Sequence, residues 1–351
     1  MDDKIHSLLK SLISAPGLSG HEKPVRKLLE DAWQPLVDEL SVSRLGSLHG
    51  LKRGRVGDRS LLLAAHMDAI GLMVTGVQGE FLRLAEIGGV DARVLPGQLV
   101  TVHGREDLPG VVVQPPGHLL PAGSQDSAPE LRYLLVDTGH TSRELGRLAR
   151  AGDLVSFAQA PIEMNNELLV GHSLDNRASI AAVTCCLEQL HSRLHDWNVW
   201  AVATVQEEET LGGAATSAFE LKPTLAVAID VTFGSSSGSP SHKTFPLGKG
   251  PTLGWGPNIH PAIFEAFRDL ADRLEIPYAV EVMPRHSGTD AIAMQVVEQG
   301  IPNMVLSIPL RYMHTPVEMV SMKDILRAGR LLAEFAASLD AGFLEKITWK
   351  D

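Results

Sequence analysis

Apolar residues recur along this chain with two different periods, and the places where the period changes divide it into three parts. In residues 4–13 the apolar positions Ile5, Leu8, Leu9, Leu12 and Ile13 fall at helical spacing and predict an amphipathic helix. Residues 15–20 break the pattern. Ser19 and Glu22 then have the spacing of a capping box ahead of a second helix carrying Val25, Leu28 and Leu29. A polar, glycine-bearing hairpin region follows, through residues 55–59. Residues 61–65, LLLAA, are apolar without alternation, the signature of a strand buried on both faces in a parallel or mixed sheet. That run stops at His66, Met67 and Asp68.

From about residue 70 to residue 161 the texture changes. Short β-rich pieces (GLMVTGV, FLRLAEIGG, QLVTVHG, GVVVQPP, RYLLVDTG, DLVSFA) are separated by Gly, Pro and Asp turns and predict a small β-barrel or sandwich. Residues 115–129 read as an exposed, mobile loop, and residues 142–151 as one short helix. At Leu168 the α/β texture returns, with a helix through Cys186 and Leu190 and an apolar strand at residues 200–205. A helix from Gly213, a strand over 225–229 ended by Asp230, and a Ser/Gly-rich loop at 234–241 come next. A helix over 261–274, a strand over 278–282, a helix over 291–298, a strand over 303–308 and a final helix from Met322 complete the pattern. The fold class is α/β: a central mixed sheet flanked by helices, interrupted by an inserted β-rich domain. The divisions are 1–69 and 163–351 for the α/β part and 70–162 for the insertion.

Composition narrows this picture. At 351 residues the chain exceeds the usual single-core limit, in keeping with two domains. The formal net charge of -11 argues against nucleic acid or an anionic membrane as partner. No apolar stretch is long enough to span a bilayer. The amino terminus lacks the positive segment of a signal peptide. The only cysteines, Cys185 and Cys186, are adjacent in a predicted helix, so they read as buried thiols and a cytoplasmic location is expected.

Candidate chemistry gathers where apolar strands end. LLLAA stops at His66 and Asp68, and AVATV at Gln206, Glu207, Glu208 and Glu209. LAVAI stops at Asp230, MVLSIP runs on to His314, and Asp175 precedes a helix. In open α/β sheets these carboxyl ends share one rim. Two His and several carboxylates without a thiolate suit a divalent ion such as Zn²⁺, Co²⁺ or Mn²⁺. Five donors exceed what one tetrahedral ion with an open position takes, and they fit two ions roughly 3.5–4 Å apart that share a carboxylate. Asp68 is placed to hold the His66 imidazole in one tautomer. One acid of the Glu pair is then left to move a proton. Both can serve one site only if the chain has left the strand or they approach from two sides. The remaining histidines considered, His6, His49, His103, His118, His140, His172, His191 and His195, read as surface or loop residues. His260 and His286 lie nearer the predicted site loops, as does the turn Ser287 to Asp290.

These stretches resemble the tetrahedral (TET-type) aminopeptidases, family forty-two of the metallopeptidases. HMDAIG at His66, LDNRAS at Leu174, VQEEE at Val205, AIDVT at Ala228, LGKGP at Leu247, GPNIHP at Gly256, SGTDA at Ser287 and RYMHTPVEMV at Arg311 match in family order. The resemblance implies a zinc-peptidase-like fold with a barrel-like or PDZ-like dimerisation insertion. It also implies two zinc or cobalt ions bound by His66, Asp230, Glu208 and His314, with Asp175 bridging. Glu207 would be the general base and Asp68 the partner of His66. The implied activity is release of N-terminal residues from short peptides by dimers assembled into hollow dodecamers.

Two departures stand out. Glu209, Thr210, Leu211, Gly212 and Gly213 replace the family's Val-Gly-Leu-Arg-Gly, and Asn176 stands where many members carry an acid. On sequence, Glu209 is either a solvated bystander or a clue to specificity, and the bystander reading is preferred. The competing functions are a deacylase of acylated amino acids with the same metal chemistry, a cellulase, and a silent oligomeric scaffold. The complete ligand set opposes the scaffold. The five scattered tryptophans oppose the cellulase.

Overall fold

Strands that are apolar on both faces need cover on both sides, and the order of elements supplies it. The computed structural model describes residues 2–121 and 128–348. Two helices, α1 (Asp2–Ser14) and α2 (Lys23–Trp33), precede strands β1 (Glu39–Val42), β2 (Leu48–Lys52) and β3 (Ser60–His66). The inserted segment supplies β4 (Gly71–Gln78), β5 (Phe81–Ile87), β6 (Leu99–His103), β7 (Asp107–Val113), β8 (Leu135–Asp137), α3 (Ser142–Leu148) and β9 (Leu154–Phe157). The chain returns through β10 (Ile162–Met164), β11 (Leu168–Gly171), α4 (Leu174–Leu190), β12 (Asn198–Thr204), α5 (Glu207–Thr210) and α6 (Gly212–Leu221). It continues with β13 (Leu225–Phe233), β14 (Thr252–Trp255), α7 (Pro261–Arg273), β15 (Ala279–Val282) and α8 (Asp290–Gln295). It closes with β16 (Asn303–Arg311), β17 (Glu318–Ser321), α9 (Met322–Ser338) and α10 (Phe343–Ile347).

Eleven strands form one mixed sheet in the order β1-β2-β12-β3-β13-β16-β17-β11-β10, and β14 and β15 branch from β16. Its centre, β12-β3-β13-β16, is parallel, as continuous burial of 61–65 requires. Helix α4 lies against β3 and β13 and carries α1 and α9 on it, while α6 packs with α8. The α4–α9 approach is close because Gly329 has no side chain; a Cβ there would meet Cys185 Cβ at 2.6 Å. Cys185 and Cys186 are buried in α4. Among the described residues, no helix is long and apolar enough to cross a membrane.

The inserted strands close into a six-stranded antiparallel barrel, β4-β5-β8-β7-β6-β9, with its own apolar core around Leu72, Val102 and Val136. Alternation of buried and exposed residues along β5 and β6 follows from having one wet face. Of the loop expected at 115–129, residues 122–127 lie outside the described residues.

Two sequence expectations are corrected. Helix α2 begins at Lys23 without the Ser19 capping box. Glu22 turns back instead, accepting from the backbone of Gly20 (2.6 Å) and Gln206 (3.2 Å). Strand β13 does not end at Asp230. It pairs with β16 through Phe233, because the valine and threonine beyond Asp230 keep the extended pattern.

Candidate metal centre

The parallel register aligns the strand ends. Thr204 pairs with His66, and Ala228 pairs with Ala64, which brings Asp230 level with His66. Beyond Thr204 the chain leaves the sheet at once. Gln206 takes a left-handed conformation (φ 58°) and Glu207 to Thr210 form one helical turn, so Glu207 and Glu208 escape the alternation of a strand. The turn is packed tightly underneath: a Cβ on Gly213 would collide with the backbone of Val205. Ser173, Leu211, Tyr312 and His314 are also left-handed, so several loops of the rim hold conformations that non-glycine residues adopt at a cost of about 1–3 kcal/mol each.

The donors converge. His66 Nε2 lies 3.2 Å from Asp175 Oδ1, 3.7 Å from Glu207 Oε2 and 3.9 Å from Asp230 Oδ1. His314 Nε2 lies 3.6 Å from both Asp175 Oδ2 and Glu208 Oε2. Donors about 2.0–2.1 Å from a tetrahedral ion sit roughly 3.3 Å from one another, so this spacing suits a metal. Two three-donor groups result, His66–Glu207–Asp230 and His66–Asp175–Glu208. Asp175 presents one oxygen to each histidine.

Surrounding groups fix the donors. His66 Nδ1 faces the Asp68 carbonyl at 3.3 Å and the Asp68 carboxylate at 3.5 Å, and His314 Nδ1 donates to the Gly89 carbonyl at 2.8 Å. Both rings are thereby held with Nε2 facing the acids, the nitrogen that would meet an ion. The Asp68 carboxylate also accepts from the backbone of Glu207 (3.0 Å) and Glu208 (3.2 Å), tying β3 to the acidic turn. Glu318 does the same on the other side, accepting from the backbone of Asp175 (3.0 Å) and His314 (2.9 Å). Ser179 and Asn176 hold the Asp230 and Ile229 carbonyls, so Asn176 serves the backbone and stays off the donor set.

Electrostatics favour a cation among these groups. Burial, reinforced by neighbouring acids, pushes Glu207 up to about 10, Glu208 to about 9 and Asp230 to about 8. Burial would lower His66, but Glu207, Asp175 and Asp68 outweigh it and hold the ring well above its ordinary value. Buried carboxylates this close ionise together only beside a cation.

Several residues differ from their sequence reading. Glu209 is not a bystander. Although exposed, its Oε1 accepts from the Gly88 backbone at 2.7 Å, tethering the acidic turn to the barrel. His49, His172 and His195 are buried; His172 and His195 lie in loops, as read, whereas His49 sits in strand β2. His103 bridges Asp107 and Ser156 inside the barrel segment. His260 caps α7, while His286 lines the site cavity. Glu318, Glu22 and the buried Arg177 were missed. Arg177 donates to the Leu12 and Ala15 carbonyls beneath the site. An acid inside the apolar stretch VEMVS, four residues after His314, was the legible sign of Glu318.

The M42 glutamyl aminopeptidase family profile matches residues 46–331. A lysyl aminopeptidase of Pyrococcus furiosus is 35% identical over 324 residues, 91% of this chain and 92% of that protein. A TET aminopeptidase structure from the marine sediment archaeon Thaumarchaeota archaeon SCGC AB-539-E09 superposes with a TM-score of 0.93 at 29% identity, covering 99% of this chain and 100% of that one. PhTET1-12s, described as a dodecamer, superposes with a TM-score of 0.82 at 28% identity over 95% of this chain and 99% of its own. With fold, sequence and relatives in agreement, this chain belongs to the M42 glutamyl aminopeptidase family and is a peptidase.

Proposed function

We propose that the protein is an aminopeptidase with two divalent ions, zinc or cobalt, releasing N-terminal residues from short peptides. The observation that carries the reading is Asp175, one oxygen toward each of two histidines that are themselves held Nε2-inward. His66 and Asp230 would hold one ion, Glu208 and His314 the other, and Asp175 both. The ions would supply Lewis-acid polarisation of the scissile carbonyl and activation of water. The spacing also puts Glu207 within a three-donor group with His66 and Asp230; if Asp175 takes that place as the shared ligand, Glu207 would be left to take the proton of the attacking water and pass it to the leaving amine. Asp68 positions His66 and the turn bearing Glu207, and Glu318 positions Asp175 and His314. A cavity of about 510 Å³ above these groups has room for the end of a peptide. Self-association is part of the same reading, on the strength of the dodecameric relative; mass measurement in solution tests it. The buried thiols suit a reducing cytoplasm.

Zinc- or cobalt-loaded protein should cleave amino-acid anilides and short peptides with free amino termini and leave acylated ones intact. Cleavage of acylated substrates alone would make it a deacylase. Glu207→Gln should lose about 10²–10⁴ in kcat while keeping its metal; unchanged turnover removes the assigned role.

A further inference from the structure

Glu281, on β15, is the one acid lining the cavity that the proposed reaction leaves unused. Its Oε1 accepts from the Thr232 hydroxyl and its Oε2 from the Thr252 hydroxyl, each at 2.7 Å, and the Ser307 hydroxyl donates as well. These three hydroxyls come from β13, β14 and β16, so four strands converge on one carboxylate. Among the described residues no cationic side chain acts on it. A largely buried carboxylate oriented by neutral hydroxyls and open to a cavity is prepared for a positive charge from outside.

We propose that Glu281 ends the pocket for the substrate's N-terminal side chain and selects a compact cationic one, lysine before all others. The inference rests on the peptidase reading of this cavity. Val231, Phe233, Met283, Ile292 and Met313 line the same space and suit the apolar stem of a lysyl side chain, whose charged head must travel on to a polar end. Thr232, which anchors Glu281, lies two residues beyond Asp230 on the same face of β13, about 7 Å along the strand. An extended lysyl side chain has a similar reach. With three hydroxyls on its two oxygens, the Glu281 carboxylate keeps roughly one of its about four lone-pair directions free, too few for the parallel fork that arginine prefers and enough for one N–H of an ammonium. An acidic side chain would meet Glu281 as a like charge, and leucine would leave it without a counter-ion.

The test is a panel of Lys, Arg, Leu and Glu anilides on the metal-loaded protein and its Glu281→Gln variant. Wild type should prefer Lys over Leu in kcat/KM. The variant should lose roughly 30-fold or more on Lys while Leu stays within about two-fold, which also shows that the variant is folded. A wild-type preference for Leu or Glu, or an equal loss on Lys and Leu in the variant, overturns the proposal. Should every anilide survive, the peptidase reading falls, and calorimetry of lysinamide against leucinamide on the wild type still decides: tighter lysinamide supports Glu281 as a cation seat, equal affinity overturns it.

Discussion

Glu318 touches no donor side chain, yet it holds the backbone of Asp175 and of His314, one residue from each end of the candidate centre. Glutamine is nearly isosteric but offers one acceptor where the carboxylate offers two, so one backbone N–H would face an amide NH₂. Such positioning partners typically change metal affinity by 10–100-fold. Glu318→Gln should therefore lower metal affinity by about that factor in a competition titration with a chelating dye; wild-type affinity would leave Glu318 a purely structural acid. His172 gives a second prediction at this scale. Burial, with help from the Arg177 cation, depresses its pKa to about 3. The unfolded chain binds that proton near pH 6.5 and the folded one does not, so the stability it supports is complete above 6.5 and drains as pH falls toward 3. By pH 5 the loss is about 2 kcal/mol. Denaturant melts of His172→Gln should show a flatter acid side than wild type.

At the scale of elements, the acidic turn α5 depends on three outside contacts: Asp68 just beyond β3, Glu22 from the start of α2, and Gly88 of the barrel reached by Glu209. Glu209→Ala removes the acceptor for Gly88 and should cost about 1 kcal/mol, with faster amide exchange at Gly88; Glu209→Gln, which keeps a carbonyl, should retain most of the protection. The central strands were legible because runs such as LLLAA suit a parallel interior, and His66, Glu207 and Glu208 because they follow such runs directly; Asp230 lies inside its strand, His314 beyond β16 and Asp175 at the start of α4. The barrel strands were legible as strands, but their order was not, since β5 pairs with β8 across a long excursion and nothing local encodes that. The start of α2 was misread because Glu22 has capping-box spacing yet spends its carboxylate on Gln206, a partner 184 residues away. Glu281 was invisible for the same reason: its three hydroxyls lie on three other strands.

At the scale of the whole molecule, the crowded acids make stability depend on cation and pH together. Without an ion, Glu207, Glu208 and Asp230 keep protons that the unfolded chain releases near pH 4. Their raised values mean that the ion-free protein loses stability as pH climbs from there through about 8 to 10. A bound ion replaces those protons and is itself favoured by deprotonated donors. The gap in Tm between metal-loaded and chelated protein should accordingly widen from pH 6 to pH 8. A gap that is constant or narrows would show that these acids are not what the cation compensates.

Among the described residues the barrel meets the acidic rim through main-chain groups at three points: the amide of Gly88, the carbonyl of Gly89 and the amide of Asp91, which donates to the His314 carbonyl at 3.5 Å. Such a joint asks nothing of side chains elsewhere in the insertion, but the loop between Ile87 and Asp91 must keep its length, its path and its glycines: Gly88 is left-handed (φ 70°), and a Cβ on Gly89 would meet His314 Nδ1 at 2.9 Å. Outside that loop the insertion is thus free to drift in sequence, and to acquire new surfaces, without disturbing His314, whereas a side chain at Gly89 or a single-residue deletion in the loop would be felt at the centre. A chimera carrying a relative's barrel should stay competent as long as that short connection is transplanted whole.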